Sequence, residues 1–500
     1  MLAKVFSASL LGLEGIVVEI EVKTSFGLKS FEIVGLPDKA VEESKARVGI
    51  AIESSGYKNP FSQPIKVLVS LAPADLKKEG SVYDLPIALG YLLAEEKIKF
   101  DPKERMIVGE LALDGRIRKI KGAISFAILA KEKGFKEIIL PKDNLREASL
   151  VKKIKVVGVE NLKEAIDYLE GKIEIKNQTE NKEAKNEDFE ISLDQIQGQE
   201  MAKRALEICA AGGHHLMMLG PPGTGKTILA KALPSILPPL SFEEILELTK
   251  IYSSAGLLEG ELITQRPFRS PHHSCSRTAL LGGGNPFRPG EITLAHKGIL
   301  FLDEFPEFHR DVLEGLRQPL EEGKVFISRA KYSFALPSSF TLVAASNPCP
   351  CGNFGNPEKE CRCSPSQIRM YQRKLSGPLA DRIDLFINVP PLKYEKLIEK
   401  GESITQKLRE RIIGAREIQK RRFKKEKLNS QMTIEEIKKY CQVEKKGEEL
   451  LRKFVDSGKL SVRGYHRVLK TARTIADLEG NEKISFENLS EALIYRQRED

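Results

Sequence analysis

The sequence predicts an α/β chain in three parts: an N-terminal α/β domain, an αβα phosphate-loop core and a C-terminal helical lid. Three segments carry the central part. Gly220–Thr227 reads GPPGTGKT directly after the apolar run Leu216–Leu219. Ile299–Glu304 reads ILFLDE, and Thr341–Pro348 reads TLVAASNP. Each is a short apolar strand ending in groups suited to phosphate, metal or water. In this order they describe a nucleotide-hydrolysis site.

The expected boundaries are 1–172 for the N-terminal domain, 173–190 for a linker, 191–392 for the core and 393–500 for the lid. A length of 500 residues allows about two to four domains. With 41% hydrophobic and 30% charged residues, the composition is that of ordinary globular material. No apolar run reaches membrane-spanning length, so no membrane is expected. The opening MLAKVFSASLLGLEG has the look of a signal peptide, but Gly12 and Glu14 interrupt it and no A-x-A site follows. It reads as a first strand, and the protein as cytoplasmic. A net charge of +9 permits contact with a polyanion without requiring it.

In the first domain, Val17–Val22 and Ile65–Leu71 read as β-branched strands, and Asp38–Ser54 and Leu85–Glu95 as helices. The stretch Gly171–Glu190 is half charged and almost free of large apolar residues after Ile175, which marks a linker.

In the core, Gly220, Gly223 and Gly225 let the backbone curl so that its N–H groups converge on phosphate oxygens. Pro221, Pro222 and Thr224 complete this ATP-binding loop. Lys226 is expected to reach the β- and γ-phosphates, and Thr227 to offer its hydroxyl to Mg2+. Ile228–Leu233 reads as a helix, which puts the phosphates at a helix N-terminus. Asp303 is expected to hold Mg2+ through water, and Glu304 to polarise the attacking water. The alternative for that pair is a charged strand end. Asn347 can orient water beside the γ-phosphate without adding charge; the alternative is a turn before Pro348. Arg382, in Leu379–Leu385, and Arg463, in Ser461–Arg467, are candidates to neutralise charge in the transition state, an effect of about 10³–10⁵ in rate. For either, a surface ion pair is the competing reading.

Cys349, Cys351, Cys361 and Cys363 form two C-x-C pairs, an insertion spanning 349–363 just after Asn347. Four thiolates suit tetrahedral Zn2+; metal-free thiols, redox chemistry or another metal are the alternatives. Cys209, Cys275 and Cys441 carry no spacing signal and read as structural. His214 and His215 read as packing groups or as polar satisfaction rather than as ligands. His272 and His273 lie in an insertion that either faces a ring pore or is a solvated loop. Val325–Arg329 and Ser333–Leu336 read as a hairpin with Arg329 and Lys331 near its tip, placed to track DNA phosphates, and with Tyr332 beside them. Lys407–Lys427 holds ten Lys/Arg against three Glu, either a solvated helix face or a basic rim.

The core motifs resemble the AAA+ ATPases, in the clade of Mg-chelatase-like and MCM-like motors. The resemblance implies that Lys226 and Thr227 are Walker A, Asp303 and Glu304 Walker B, Asn347 sensor 1, Arg382 an arginine finger given to a neighbouring subunit, and Arg463 sensor 2. The stretches FEIVGLPDKAVEESKARV, LAPADLKKEGSVYDLPIAL and GELALDGRIRKIKGAISFAILA resemble the N-terminal domain of the ComM/YifB family. That domain is similar in fold to the S5-type proteolytic domain of Lon. Lon needs a Ser-Lys dyad. Here Val82 falls at the serine, Ser81 is one position off, and Gly122-Ala123-Ile124-Ser125 lacks the lysine, so the domain is expected to be non-proteolytic. The NPCPCG segment and SVRGYHRVLKTARTIADLEG extend the resemblance over nearly the whole chain. It implies a hexameric, ATP-dependent motor on single-stranded or branched DNA, helicase-like, driving branch migration in homologous recombination during natural transformation. Mg-chelatase-type or protein-remodelling motors, a Lon-like protease and a non-catalytic DNA-binding scaffold are the alternatives.

Overall fold

Period-two alternation builds the first sheet. Along Glu14–Phe26, Val18, Ile20 and Val22 are fully buried while Glu19, Glu21 and Lys23 lie on the other face. In the computed structural model, which describes residues 2–175, 189–258, 262–284, 287–328, 333–355, 359–375, 379–392 and 403–496, this strand pairs antiparallel with Leu2–Leu11. The opening residues are thus a first strand, as expected. The described chain forms two compact units, Met1–Glu183 with Ser241–Ile263, and Ala184–Leu240 with Thr264–Asp500.

The first unit carries a mixed seven-stranded sheet in the order Ser30–Val34, Ile65–Ala72, Glu14–Phe26, Leu2–Leu11, Arg105–Ile107, Glu137–Pro141, Lys155–Val159. The expected strands fall inside Glu14–Phe26 and Ile65–Ala72, and the expected helices are Lys39–Ser54 and Asp84–Ala94. Asp38 caps the first helix, its carboxylate accepting from the Val41 N–H at 2.8 Å. Asp84 is fully buried between the two helices. It accepts from Arg47 Nε at 2.8 Å, from the Leu111 N–H at 3.2 Å and from the Ser44 hydroxyl. The helix Phe242–Ala255 follows the phosphate loop in sequence, yet it belongs to this unit. The Gly122 N–H donates to Ser253 O at 3.1 Å, and Lys250 pairs with Glu14 at 2.6 Å.

The second unit is built on a five-stranded parallel sheet in the order Phe268–Arg269, Ile299–Leu302, Thr341–Ser346, Leu216–Leu219, Leu385–Asn388. Ile299–Leu302 and Leu342–Ala345 are fully buried, the unbroken apolar pattern of strands covered on both faces. Helices Thr405–Phe423, Ile434–Tyr440, Lys445–Asp456, Val462–Glu479 and Phe486–Ile494 make the C-terminal part and share one apolar core with the sheet. Several basic side chains of Lys407–Lys427 are internal partners. Arg416 donates to Ala210 O at 2.6 Å, Arg411 pairs with Glu207 at 3.1 Å, and Arg422 grips Asp477. Strands Lys324–Ser328 and Ser333–Pro337 form the expected antiparallel hairpin. Arg329, Lys331 and Tyr332 lie outside the described residues, as does 176–188 of the linker.

One buried carboxylate ties the helical part to the sheet. Asp384 accepts from the His215 N–H at 3.2 Å, meets His214 Nδ1 at 3.2 Å and pairs with Arg467 from the helix Val462–Glu479. His214 Nε2 reaches Thr474 Oγ1 at 2.8 Å, the polar satisfaction expected of this histidine. Burial alone would raise Asp384; the Arg467 guanidinium and His214 hold it well below the usual carboxylate range. His215 Nδ1 accepts the Leu342 N–H at 3.1 Å, which requires a neutral ring, and burial pushes its pKa down to about 4.

Two outcomes follow. Asp384→Ala leaves Arg467 without its buried partner and should destabilise the second unit by about 3–5 kcal/mol, measured by chemical denaturation. His215 has a folded-state pKa below its unfolded value, so its contribution is complete above about pH 6.5 and fades as the pH falls toward 4. The unfolding free energy should drop by on the order of 3 kcal/mol across that window, and His215→Gln should flatten the slope.

Candidate active site

The phosphate loop is shaped by close backbone approaches. The Gly220 N–H donates to Ser346 O at 3.2 Å, and a Cβ on Gly220 would sit 2.3 Å from Val389 O. Gly223 and Gly225 take left-handed φ values of 80° and 90°. The helix Lys226–Ala232 starts at once, and its last expected residue, Leu233, opens a 3-10 turn to Ile236. Pro221 O accepts from Thr224 Oγ1 at 3.0 Å.

Lys226 is buried. Its Nζ donates to Gly220 O at 2.6 Å, Pro221 O at 2.8 Å and Asn347 Oδ1 at 3.2 Å. Burial lowers its pKa, and Asp303 counteracts part of that. Thr227 Oγ1 donates to Asp303 Oδ2 at 2.8 Å, and the Glu304 N–H donates to Asp303 Oδ1 at 2.9 Å. Glu304 is a non-glycine residue at φ 50°, a left-handed turn that aims its side chain away from the strand axis. Its Oε2 meets His273 Nδ1 at 3.1 Å, and the His272 and His273 rings lie 4.1 Å apart. Lys226, Thr227, Asp303 and Asn347 are therefore joined directly, with Glu304 alongside. The arrangement offers an ammonium, a hydroxyl beside a carboxylate, an exposed carboxylate and a neutral amide at the ends of adjacent strands.

The two arginines stand elsewhere. Arg382 closes the 3-10 turn Ala380–Arg382 and donates to Glu321 Oε1 at 2.5 Å. Arg463 is exposed in the first turn of Val462–Glu479, whose cap is Ser461.

The cysteine insertion borders this site. A Cβ on Gly352, at φ 79°, would lie 2.6 Å from Pro222 Cδ, so this glycine rests on the phosphate loop. The Cys349, Cys351 and Cys361 sulfurs are 3.4, 3.7 and 3.6 Å apart, and all four Sγ atoms fall within 4.8 Å of one another. Four sulfurs about 2.3 Å from a tetrahedral ion would be about 3.8 Å apart. The Asn353 and Arg362 N–H groups hold the Cys351 thiol down, while burial and the neighbouring sulfurs raise Cys361 and Cys363. The four cysteines can hold a metal ion. The other three cysteines are free; burial raises Cys209, and it raises Cys441 to about 12.

Sequence reasoning missed three groups. Gly352 had no signal beyond the glycine after C-P-C. Tyr371, in the helix Pro365–Leu375, is buried with its hydroxyl on Ser346. Asp384 stood two residues from Arg382 and drew no notice. In the first unit, Ser81, one position from where the nucleophile would stand, bonds Glu110, and Ser125, in the segment where the lysine would stand, donates from Oγ to Leu13 O at 2.8 Å.

A parallel sheet ending in a glycine loop, an Asp-Glu pair and an asparagine, with a helical C-terminal part, defines an AAA+ ATPase of the Mg-chelatase-like class. The family models for magnesium chelatase subunit ChlI match 192–397 and 20–144, and that for its C-terminal region matches 402–496. Competence protein ComM of Haemophilus influenzae is 44% identical over 99% of this chain and 97% of its own. YifB of Escherichia coli is 42% identical over the same shares. The chain belongs to this ComM/YifB family. Lon protease 2 of Bacillus subtilis is 28% identical over 32% of this chain and 33% of its own, in keeping with the Lon-like N-terminal fold. Among the described residues, no helix is long and apolar enough to cross a membrane.

Gly220→Ala tests the loop geometry. The added Cβ has to displace Val389 O or the loop. A fluorescent ATP analogue should bind at least about tenfold more weakly, with the circular dichroism spectrum unchanged.

Proposed function

We propose that this protein is an ATP-driven DNA motor that works as a hexamer, a helicase or branch-migration factor. The direct joining of Lys226, Thr227, Asp303 and Asn347 at the ends of three neighbouring strands carries the proposal. Lys226 releases the loop carbonyls and takes up the β- and γ-phosphates. Thr227 and Asp303, already paired at 2.8 Å, would hold Mg2+, which when bound would supply charge neutralisation at the phosphate oxygens. Glu304 leaves His273 and orients water, and the Asn347 amide steadies that water. Arg382 exchanges Glu321 for the γ-phosphate of a neighbouring subunit, and Arg463 approaches from the lid. Hydrolysis moves the strand pair Lys324–Ser328 and Ser333–Pro337, and Arg329 and Lys331, which lie between the two strands in sequence, follow the DNA phosphates. Zn2+ occupies the four-cysteine site, and the N-terminal domain is non-proteolytic.

The name of the Haemophilus influenzae relative, competence protein ComM, supports a place in natural transformation, where branch migration integrates incoming DNA in the cytoplasm. The match to magnesium chelatase subunits favours, as a second reading, a chelatase-type motor without a DNA role.

ATPase rates with single-stranded, duplex and four-way-junction DNA separate the two, with Lys226→Ala as the blank. Stimulation by DNA is expected; a robust rate indifferent to all three would move the reading to the chelatase type. Glu304→Gln should keep ATP bound while hydrolysis falls about 10²-fold or more. Hydrolysis at the normal rate in that variant would remove Glu304 from its role.

A further inference from the structure

The segment after Asn347 touches the hydrolysis site at three separate places. Gly352 lies on the Pro222 ring of the phosphate loop, with Asn347 Cγ 3.9 Å from the same point. Tyr371 sits buried with its hydroxyl on Ser346, the residue before Asn347. Lys374 Nζ donates to Pro306 O at 3.1 Å, in the turn Phe305–Glu307 that directly follows Glu304. One chain segment thus meets the loop, the asparagine strand and the Asp-Glu turn.

That segment has little apolar anchorage of its own. In Pro365–Lys374 only Tyr371 is buried, and Arg369, Met370, Arg373 and Lys374 are exposed. Phe354 is 46% exposed. A stretch that buries so few side chains does not offset the entropy of ordering itself. The sulfur cluster gathers its N-terminal part at one point. Cys349, fully buried two residues after Asn347, is brought to Cys361 at 3.7 Å, and Cys363 stands two residues before the helix. An ion bound by the four thiolates closes the loop Cys349–Cys363 and fixes the start of the helix.

We infer that the metal-bound knuckle Cys349–Cys363 and the helix Pro365–Leu375 form one brace across the hydrolysis site, so that loading of the thiolate site with a soft divalent cation, Zn2+, sets the rate of hydrolysis. The inference rests on the ATPase reading above. Loss of the ion frees Gly352 from Pro222, Tyr371 from Ser346 and Lys374 from Pro306, and misplaces Asn347 and Glu304 relative to the bound phosphates. Nucleotide affinity depends mainly on the loop and Lys226 and changes less.

The test uses the full chain purified without chelator. Elemental analysis should find one zinc per chain, and Cys361→Ser should abolish it. In Cys361→Ser, kcat for ATP should fall at least about tenfold while the dissociation constant of a fluorescent ATP analogue stays within about threefold. Hydrogen exchange at Phe305–Glu307 and Ser346–Asn347 should quicken. Two further variants keep all four thiols and guard against misfolding. Gly352→Ala pushes a methyl into Pro222, and Tyr371→Phe removes only a hydroxyl; both should retain zinc and lose rate. Pro222→Ala added to Gly352→Ala should restore part of that rate. Zinc near zero in the parent protein overturns the metal. Full zinc with unchanged rates and exchange in the variants overturns the brace. Failure of the ATPase reading looks different: the parent protein hydrolyses no faster than Lys226→Ala, while zinc content and exchange still respond to Cys361→Ser.

Discussion

The register that pairs Leu219 with Ser346 and Leu302 with Ala344 sets the distances in the second unit's site. Parallel strands in that register end together, so Gly220, Asp303 and Asn347 emerge at one rim of the sheet. A parallel sheet keeps such a register because both faces are buried, and a slip of one residue would turn apolar side chains out of the core. Lys226 can then reach both its own loop and Asn347, which is 121 residues away in sequence. The chemistry is held by main-chain hydrogen bonds between strands before any side chain takes part.

Around that rim, the positions that matter are those where the backbone leaves ordinary geometry. Gly220 allows Val389 O to approach to a distance no Cβ tolerates. Glu304 adopts a left-handed turn that side chains seldom accept, and its carboxylate is thereby set beside His273. Strain at such a site persists because the fully buried strand Ile299–Leu302 leaves the turn no alternative. Asp384 plays the corresponding part at the starting ends of the strands Leu216–Leu219 and Leu385–Asn388. Its carboxylate collects His214, the His215 N–H and Arg467, so the sheet and the C-terminal helices share one buried charge network.

Much of this was legible in the chain itself. The glycine spacing, the apolar strands ending in Asp-Glu and in Asn, and the alternation in Val17–Val22 each reflect a local rule that a short window displays. The lid's basic run shows where local reading stops. Its ten cations looked like one face, but Arg411, Arg416 and Arg422 turn to Glu207, Ala210 and Asp477, partners distant in sequence. The helix Phe242–Ala255 stops it again. Its own periodicity marks it as amphipathic, but nothing in it says that its partners are Glu14 and Gly122 of the first unit.

By itself the sequence determined the class of the chain, which groups stand at the ends of three strands and the pairing of four cysteines in two C-x-C steps, because these depend on residue type and short-range spacing. Only the tertiary structure decided that Gly352 rests on Pro222, that Glu304 faces His273, that Arg382 turns to Glu321 and that Asp384 joins sheet to helices. Each of those contacts links residues at least 30 positions apart. Their meeting is set by sheet order and crossover packing, which no local pattern encodes.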